Sequence, residues 1–144
     1  MAPLSNGFSN DVDCVFSDLT RAVFSAGFNP NTIDRRWPAF IEAFASFRVE
    51  RVATFDNDDV ESILQHSGVV KNRTKVVATL ANARALKDIA EEFGSFFCYY
   101  AQLPGDRFSR QAAIMSRFKG VGAATAQKLC VMWDCEIHTK PAGG

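Results

Sequence analysis

Apolar residues recur every three or four positions along nearly the whole chain, and strand-like alternation nowhere persists beyond a few residues. That periodicity restricts the fold to packed helices. Val12, Val15, Phe16, Leu19, Val23 and Ala26 share one face of a predicted helix over 11–26, which Gly27 stops. Asn29-Pro30-Asn31 makes a turn. Asn31 or Thr32 is then expected to cap a second helix that turns Ile33, Trp37, Phe40, Ile41 and Phe44 inward, with Pro38 as a kink. Residues 48–54 fit an extended segment or a short helix. Asp56 or Asn57 opens a third helix through Val60, Ile63 and Leu64, closed by Gly68. The longest periodic stretch, about 72–92, carries Val76, Val77, Leu80, Ala83, Leu86 and Ala90 inward and ends at Phe93-Gly94. Ser95 can cap a short aromatic helix over 96–100. Beyond the breaker Pro104-Gly105-Asp106, helices over about 109–117 and 123–133 are joined by a tight turn at 119–122. The expectation is an all-α fold, one domain over residues 1–144, built as two small lobes sharing a core.

Composition narrows the function classes. Hydrophobic residues at 47% and charged residues at 22% exclude a disordered chain. Sixteen Lys and Arg balance sixteen Asp and Glu, which argues against a protein that coats nucleic acid with its whole surface. The charge is not evenly spread. Residues 105–144 carry six basic groups (Arg107, Arg110, Arg117, Lys119, Lys128, Lys140) against three acidic ones (Asp106, Asp134, Glu136), while the remainder carries ten against thirteen. A local basic face therefore gathers around Gly120-Val121-Gly122. The four cysteines form no CxxC or CxxH pair, so free thiols are expected and a structural zinc site is not. No apolar run approaches the roughly 20 residues of a membrane span. Met1 to Gly7 lacks the features of a secretory leader, so a cytoplasmic monomer without membrane association is expected.

The string Phe118-Lys119-Gly120-Val121-Gly122-Ala123-Ala124-Thr125-Ala126 carries the chemistry. Its glycines allow positive φ and leave no Cβ between backbone and ligand. The amides of Gly120, Gly122 and Ala123, at the positive end of a helix dipole, suit a phosphate oxygen. Lys119 adds a mobile charge, Val121 can plug between the two helices, and Ala123, Ala124 and Ala126 let the helices approach closely. Such a grip holds the nucleic-acid backbone without reading a base. An ordinary helical hairpin with a glycine turn is the plainer alternative.

This segment resembles the helix-hairpin-helix of the DNA glycosylase superfamily. Upstream, Ala26-Gly27, Phe40 to Phe44, Phe47, Val52-Ala53, Asp59-Val60-Glu61, Lys71-Asn72-Arg73-Thr74-Lys75 and Asn82-Ala83-Arg84-Ala85 are similar to the 3-methyladenine DNA glycosylase I family. The similarity covers roughly residues 16–133. It implies a two-lobed helix-hairpin-helix fold over the hairpin at about 109–133, and a monofunctional enzyme that hydrolyses the N-glycosidic bond of damaged, alkylated purines in double-stranded DNA, as in base-excision repair. It also implies that Lys119, Gly120, Val121, Gly122, Ala123 and Thr125 hold the DNA backbone, with Lys71 and Arg73 as a second contact to the DNA backbone or to the pocket rim.

The departures are specific. Ala22 stands where the family has a base-binding glutamate, and Pro30 where it has a tryptophan. The family's zinc-binding Cys and His residues have no counterparts, so no cofactor is expected; the hairpin carbonyls leave room for a monovalent cation. Ala124 occupies the position of the lysine nucleophile of bifunctional relatives, which implies no Schiff-base step. Other superfamily members carry a catalytic aspartate in an Asp-x-His string after the hairpin. Glu136-Ile137-His138 is the nearest equivalent, so Glu136 is the leading carboxylate for activating water and Asp134 the runner-up. Trp37 and Tyr99 are the candidate walls of a base pocket, and His66 reads as a helix-end cap. The missing family residues keep a non-catalytic helix-hairpin-helix DNA-binding module as the alternative, and a helical protein-interaction domain as a third.

Overall fold

The computed structural model describes residues 3–139 of the chain, with side chains over 11–137. The described residues form eight α-helices and no strand: α1 (Pro3–Ser25), α2 (Pro30–Ala43), α3 (Val49–Val52), α4 (Asn57–Gln65), α5 (Arg73–Phe93), α6 (Phe96–Ala101), α7 (Arg107–Arg117) and α8 (Ala123–Thr139). Local chemistry sets most boundaries. Asp56 and Asp59 form a reciprocal capping box at the start of α4, with the Asp59 amide donating to Asp56 at 3.2 Å and the Asp56 amide to Asp59 at 2.9 Å. Asn72 caps α5, which ends at Gly94 in the left-handed region (φ 88°). Ser95 caps α6.

Four boundaries differ from the expectations. Helix α1 begins at Pro3 rather than at residue 11. Helix α2 is capped by Asn29 rather than Asn31 or Thr32, because Pro30 fits its first turn, where a missing N–H costs nothing; the helix then runs through Pro38 to Ala43. Helix α7 opens at Arg107 because the Asp106 carboxylate accepts from the Ser109 amide at 2.8 Å. Helix α8 continues past residue 133 to Thr139. Between α2 and α3 the chain makes a short 3-10 turn with Ala45, Ser46 and Phe47 at φ of 52°, 59° and 56°. Left-handed backbone costs roughly 1–2 kcal/mol per residue. The buried Phe47 ring offsets it by stacking on Trp37 at 5.0 Å and meeting Phe16 edge-on at 5.5 Å.

Helices α1 and α5 pack together at the centre. Helices α2 and α3 pack on α1, α3 and α4 pack on α5, α6 and α8 pack on the central pair from the C-terminal part of the chain, and α7 packs on α8. One continuous apolar core runs through both groups, from Phe16, Phe24 and Phe40 to Phe96, Tyr100 and Trp133.

Polar side chains at and along α5 hold the ends of neighbouring elements. Lys71 Nζ donates to the Leu64 carbonyl at the end of α4 (2.9 Å). Lys75 Nζ donates to the Ala26 and Phe24 carbonyls at the end of α1 (2.8 and 3.3 Å). Arg84 donates to the carbonyls of Ala53 and Phe55 after α3. The last carbonyls of a helix lack intrahelical partners and carry its negative dipole end, so cations belong there. Asn82 makes a comparable contact to the turn before α8.

Candidate nucleic-acid interface

The turn between α7 and α8 is seated by its apolar residues. Phe118 closes α7, its amide donating to the Ile114 carbonyl, and its side chain is 2% exposed. Val121 and Thr125 are buried beside it. Gly120 has φ 75°, and a Cβ there would stand 3.2 Å from Val23 Cγ1 on α1 and 3.4 Å from Ala78 Cβ on α5. Glycine is therefore required at 120 by both conformation and space. At Gly122 a Cβ would meet nothing within 4 Å. Of the small residues expected to let the helices close, only Ala126 is buried; Ala123 and Ala124 face solvent, because they precede the point where α8 enters the core.

The outward side of the turn is open. Lys119, Gly120, Gly122 and Ala123 are exposed. Among the described residues, no protein group accepts from the amides of Gly120, Val121, Gly122 or Ala123. The Lys119 amide differs: it donates to Asn82 Oδ1 at 2.7 Å, while the Lys119 carbonyl accepts from Asn82 Nδ2 at 3.0 Å. Unpartnered amides at the start of a 17-residue helix, with Lys119 and Lys128 exposed nearby, make an electropositive backbone surface suited to an oxyanion. Two carbonyls that a monovalent cation could use, those of Lys119 and Gly122, already accept from Asn82 and from the Ala126 amide.

The second basic segment is placed differently. Lys71 and Arg73, expected as DNA contacts, are occupied within the fold. Lys71 caps α4, and Arg73 pairs with Glu61 at 2.7 Å. The hydrogen bond from Arg73 holds the Glu61 carboxyl below its usual range. Lys75 is partly buried over Phe24, and burial pushes its ammonium down from the ordinary lysine value. Each contact reaches a different element of the fold, so no local pattern signals it.

The candidate carboxylates separate. Asp134 Oδ1 accepts from Arg110 at 2.6 Å and from the Tyr100 hydroxyl at 2.8 Å, which fastens α6, α7 and α8 together. Burial, with the bonds to Cys130 and Asp134, raises the Tyr100 phenol. Asp134 thus has a structural employment. Glu136 is exposed and lies thirteen residues along α8 from Ala123, about 20 Å at helical rise. Successive nucleotides of one strand are about 3.4 Å apart along the duplex axis. The nucleotide gripped at the turn is therefore not one whose sugar Glu136 would serve. Asp18 on α1, which the sequence reading did not single out, is half-buried; burial raises its carboxyl above the usual range and the Glu136 charge adds to the shift. Only the packing of α1 on α8 brings these two acids within each other's field.

Both candidate walls are largely buried. Trp37 is 8% exposed, stacked on Phe40 (5.2 Å) and Phe47, with the Arg21 guanidinium 4.4 Å from its ring centroid. Tyr99 is 7% exposed among Phe93, Phe96 and Arg117. His66 does end α4, with Nδ1 accepting from the Gly68 amide and Nε2 bonded to Glu42 at 2.8 Å. Ala22 is half-buried against the core, and Pro30 is exposed on the first turn of α2. No group of three His, Cys, Asp or Glu side chains among the described residues is arranged to hold a metal; the side chain of His138 lies outside them. No described helix is long and apolar enough to cross a membrane.

The sequence profile of the methyladenine glycosylase family matches residues 7–128. A curated relative, the DNA-3-methyladenine glycosylase of Haemophilus influenzae, is 28% identical over 74 residues; the match spans 49% of this chain and 40% of that protein. A crystal structure of 3-methyladenine DNA glycosylase I superposes with a TM-score of 0.71 at 22% identity, covering 85% of this chain and 78% of the other. The Staphylococcus aureus enzyme of that name, solved to show the structural basis of its 3-methyladenine recognition, gives 0.72 at 22% identity, covering 83% and 74%. These superpositions share the all-α architecture, and the profile spans both the central helices and the hairpin. The chain belongs to the methyladenine glycosylase family.

Proposed function

We propose that this chain is a monofunctional DNA glycosylase that hydrolyses the N-glycosidic bond of alkylated purines in double-stranded DNA. The open amides at 120–123, in the helix-hairpin-helix of a methyladenine glycosylase fold, carry the reading. Such a grip fixes the DNA backbone while the target base leaves the stack, since the glycosidic bond is inaccessible within a stacked duplex. An alkylated purine is already cationic and departs readily. The demand for acid–base assistance is correspondingly low. Glu136, beside Asp18, is the proposed helper for water on an outlying part of the bound duplex. No lyase step is proposed, because Ala124 supplies no amine.

The decisive experiment is release of free base from methylated duplex DNA. Release of 3-methyladenine or another alkylated purine supports the enzyme. A fall of about 100-fold or more in Glu136→Gln places that carboxylate at the reacting sugar; unchanged release assigns the step to the leaving group and pocket alone. A second reading is favoured by Ala22, Pro30 and the long separation of Glu136 from the turn: a DNA-binding module without hydrolysis. Salt-sensitive duplex binding with no base release across several lesions selects it.

A further inference from the structure

We infer that Asn82 is the residue that aims the hairpin: its buried side-chain amide, paired with both backbone groups of Lys119, turns the Gly120 N–H outward toward the DNA phosphate. The inference rests on the reading of this turn as a phosphate grip. Asn82 lies on α5, is 1% exposed, and is 37 residues from its partner. Its Oδ1 accepts from the Lys119 amide and its Nδ2 donates to the Lys119 carbonyl. In a planar trans peptide the carbonyl and the following N–H point in opposite directions. With the Lys119 carbonyl drawn in to α5, the Gly120 N–H is directed away from α5. Gly120 then leaves that plane at φ 75°, with Val23 and Ala78 closing the inward side. Two helices thus form the seat, and one side chain decides which way the peptide plane faces.

The residue type follows from the task. Asparagine carries a donor and an acceptor at the same reach. Aspartate would set a second acceptor against the Lys119 carbonyl, and leucine would fill the volume while leaving a buried N–H and C=O unpaired. A residue that served stability alone would need no such pairing with a single backbone unit at the mouth of the site.

The test uses the full chain and a duplex, with binding measured over a series of salt concentrations well below the melting temperature. Asn82→Ala and Asn82→Leu are expected to weaken binding by about tenfold, as loss of an amide directed at a charged group does. The slope of log K against log salt should not change, because the lysine and arginine contacts that release counterions remain. Lys119→Gln, in contrast, should lower that slope by about one. In the wild-type protein, amide NMR should show Lys119 protected from exchange and Gly120 exchanging freely until duplex shifts and protects it. Folded Asn82 variants that bind like wild type, or a Gly120 amide that duplex leaves unmoved, would overturn the inference alone. Wild-type protein that fails to bind duplex at low salt would overturn the phosphate reading and this inference together. The NMR measurement on wild type decides the matter even where a variant does not fold.

Discussion

The stretches around Lys71–Lys75 and around Lys119–Ala123 look alike in sequence: each sets cationic side chains beside the start of a helix that runs into the core. The fold uses them in opposite ways. At the start of α5 the charges are engaged by the chain's own groups. Lys71 and Lys75 cap α4 and α1, and Arg73 pairs with Glu61. At the start of α8 the charges stay out, and the amides of 120–123 have no acceptor among the described residues. A basic segment is available to a partner only to the extent that the fold leaves its donors unfilled. We propose the first segment as a clasp and the second as an interface, which tests on single residues can separate.

The largest expected effect is at Gly120. Gly120→Val combines left-handed backbone with a Cβ pressed on Val23 and Ala78, so a loss of about 2 kcal/mol or more is expected in thermal unfolding, with duplex binding abolished. Gly122→Val should cost no more than about 1 kcal/mol, since a Cβ there meets nothing within 4 Å and only the cap position of α8 disfavours valine, and yet weaken duplex binding severely. Equal destabilisation by the two would break the distinction between the seat and the mouth of the turn. Lys75→Met should cost about 1 kcal/mol, from the α1 carbonyls it leaves without a cap, and leave the salt dependence of binding unchanged. A shallower slope in Lys75→Met would return that segment to the DNA. The smallest effect is a pH trend. Burial lowers the folded pKa of Lys75, so between that value and the ordinary lysine value of 10.5 the unfolded chain holds more protons and stability rises with pH. Wild type should therefore gain on Lys75→Met as pH rises through this alkaline window, and a flat difference in chemical denaturation would refute it.

Much of this was readable locally. Asp56, Asn72 and Ser95 act as the caps their residue types suggest, and the core faces of α1 and α5 mostly follow the helical period; Ala26, Ile41 and Val77, expected inward, are exposed because each lies at the margin of its apolar face. The tight turn after Phe118 and the similarity to methyladenine glycosylases were likewise open to inspection, and the family profile bears out the latter. The roles of Lys71, Lys75 and Asp134 were not legible, since each depends on a partner on another element.

From its sequence the chain settled its class, part of its helix punctuation and the glycine turn, because hydrophobic period, caps and positive-φ positions act over a few residues. Tertiary structure decided which cations are occupied, which amides remain open, that Trp37 and Tyr99 are enclosed by aromatic neighbours, and that Asn82 reaches Lys119. Those outcomes depend on which helix ends meet in space, and a hydrogen bond between residues 37 to 51 positions apart leaves no local mark on either.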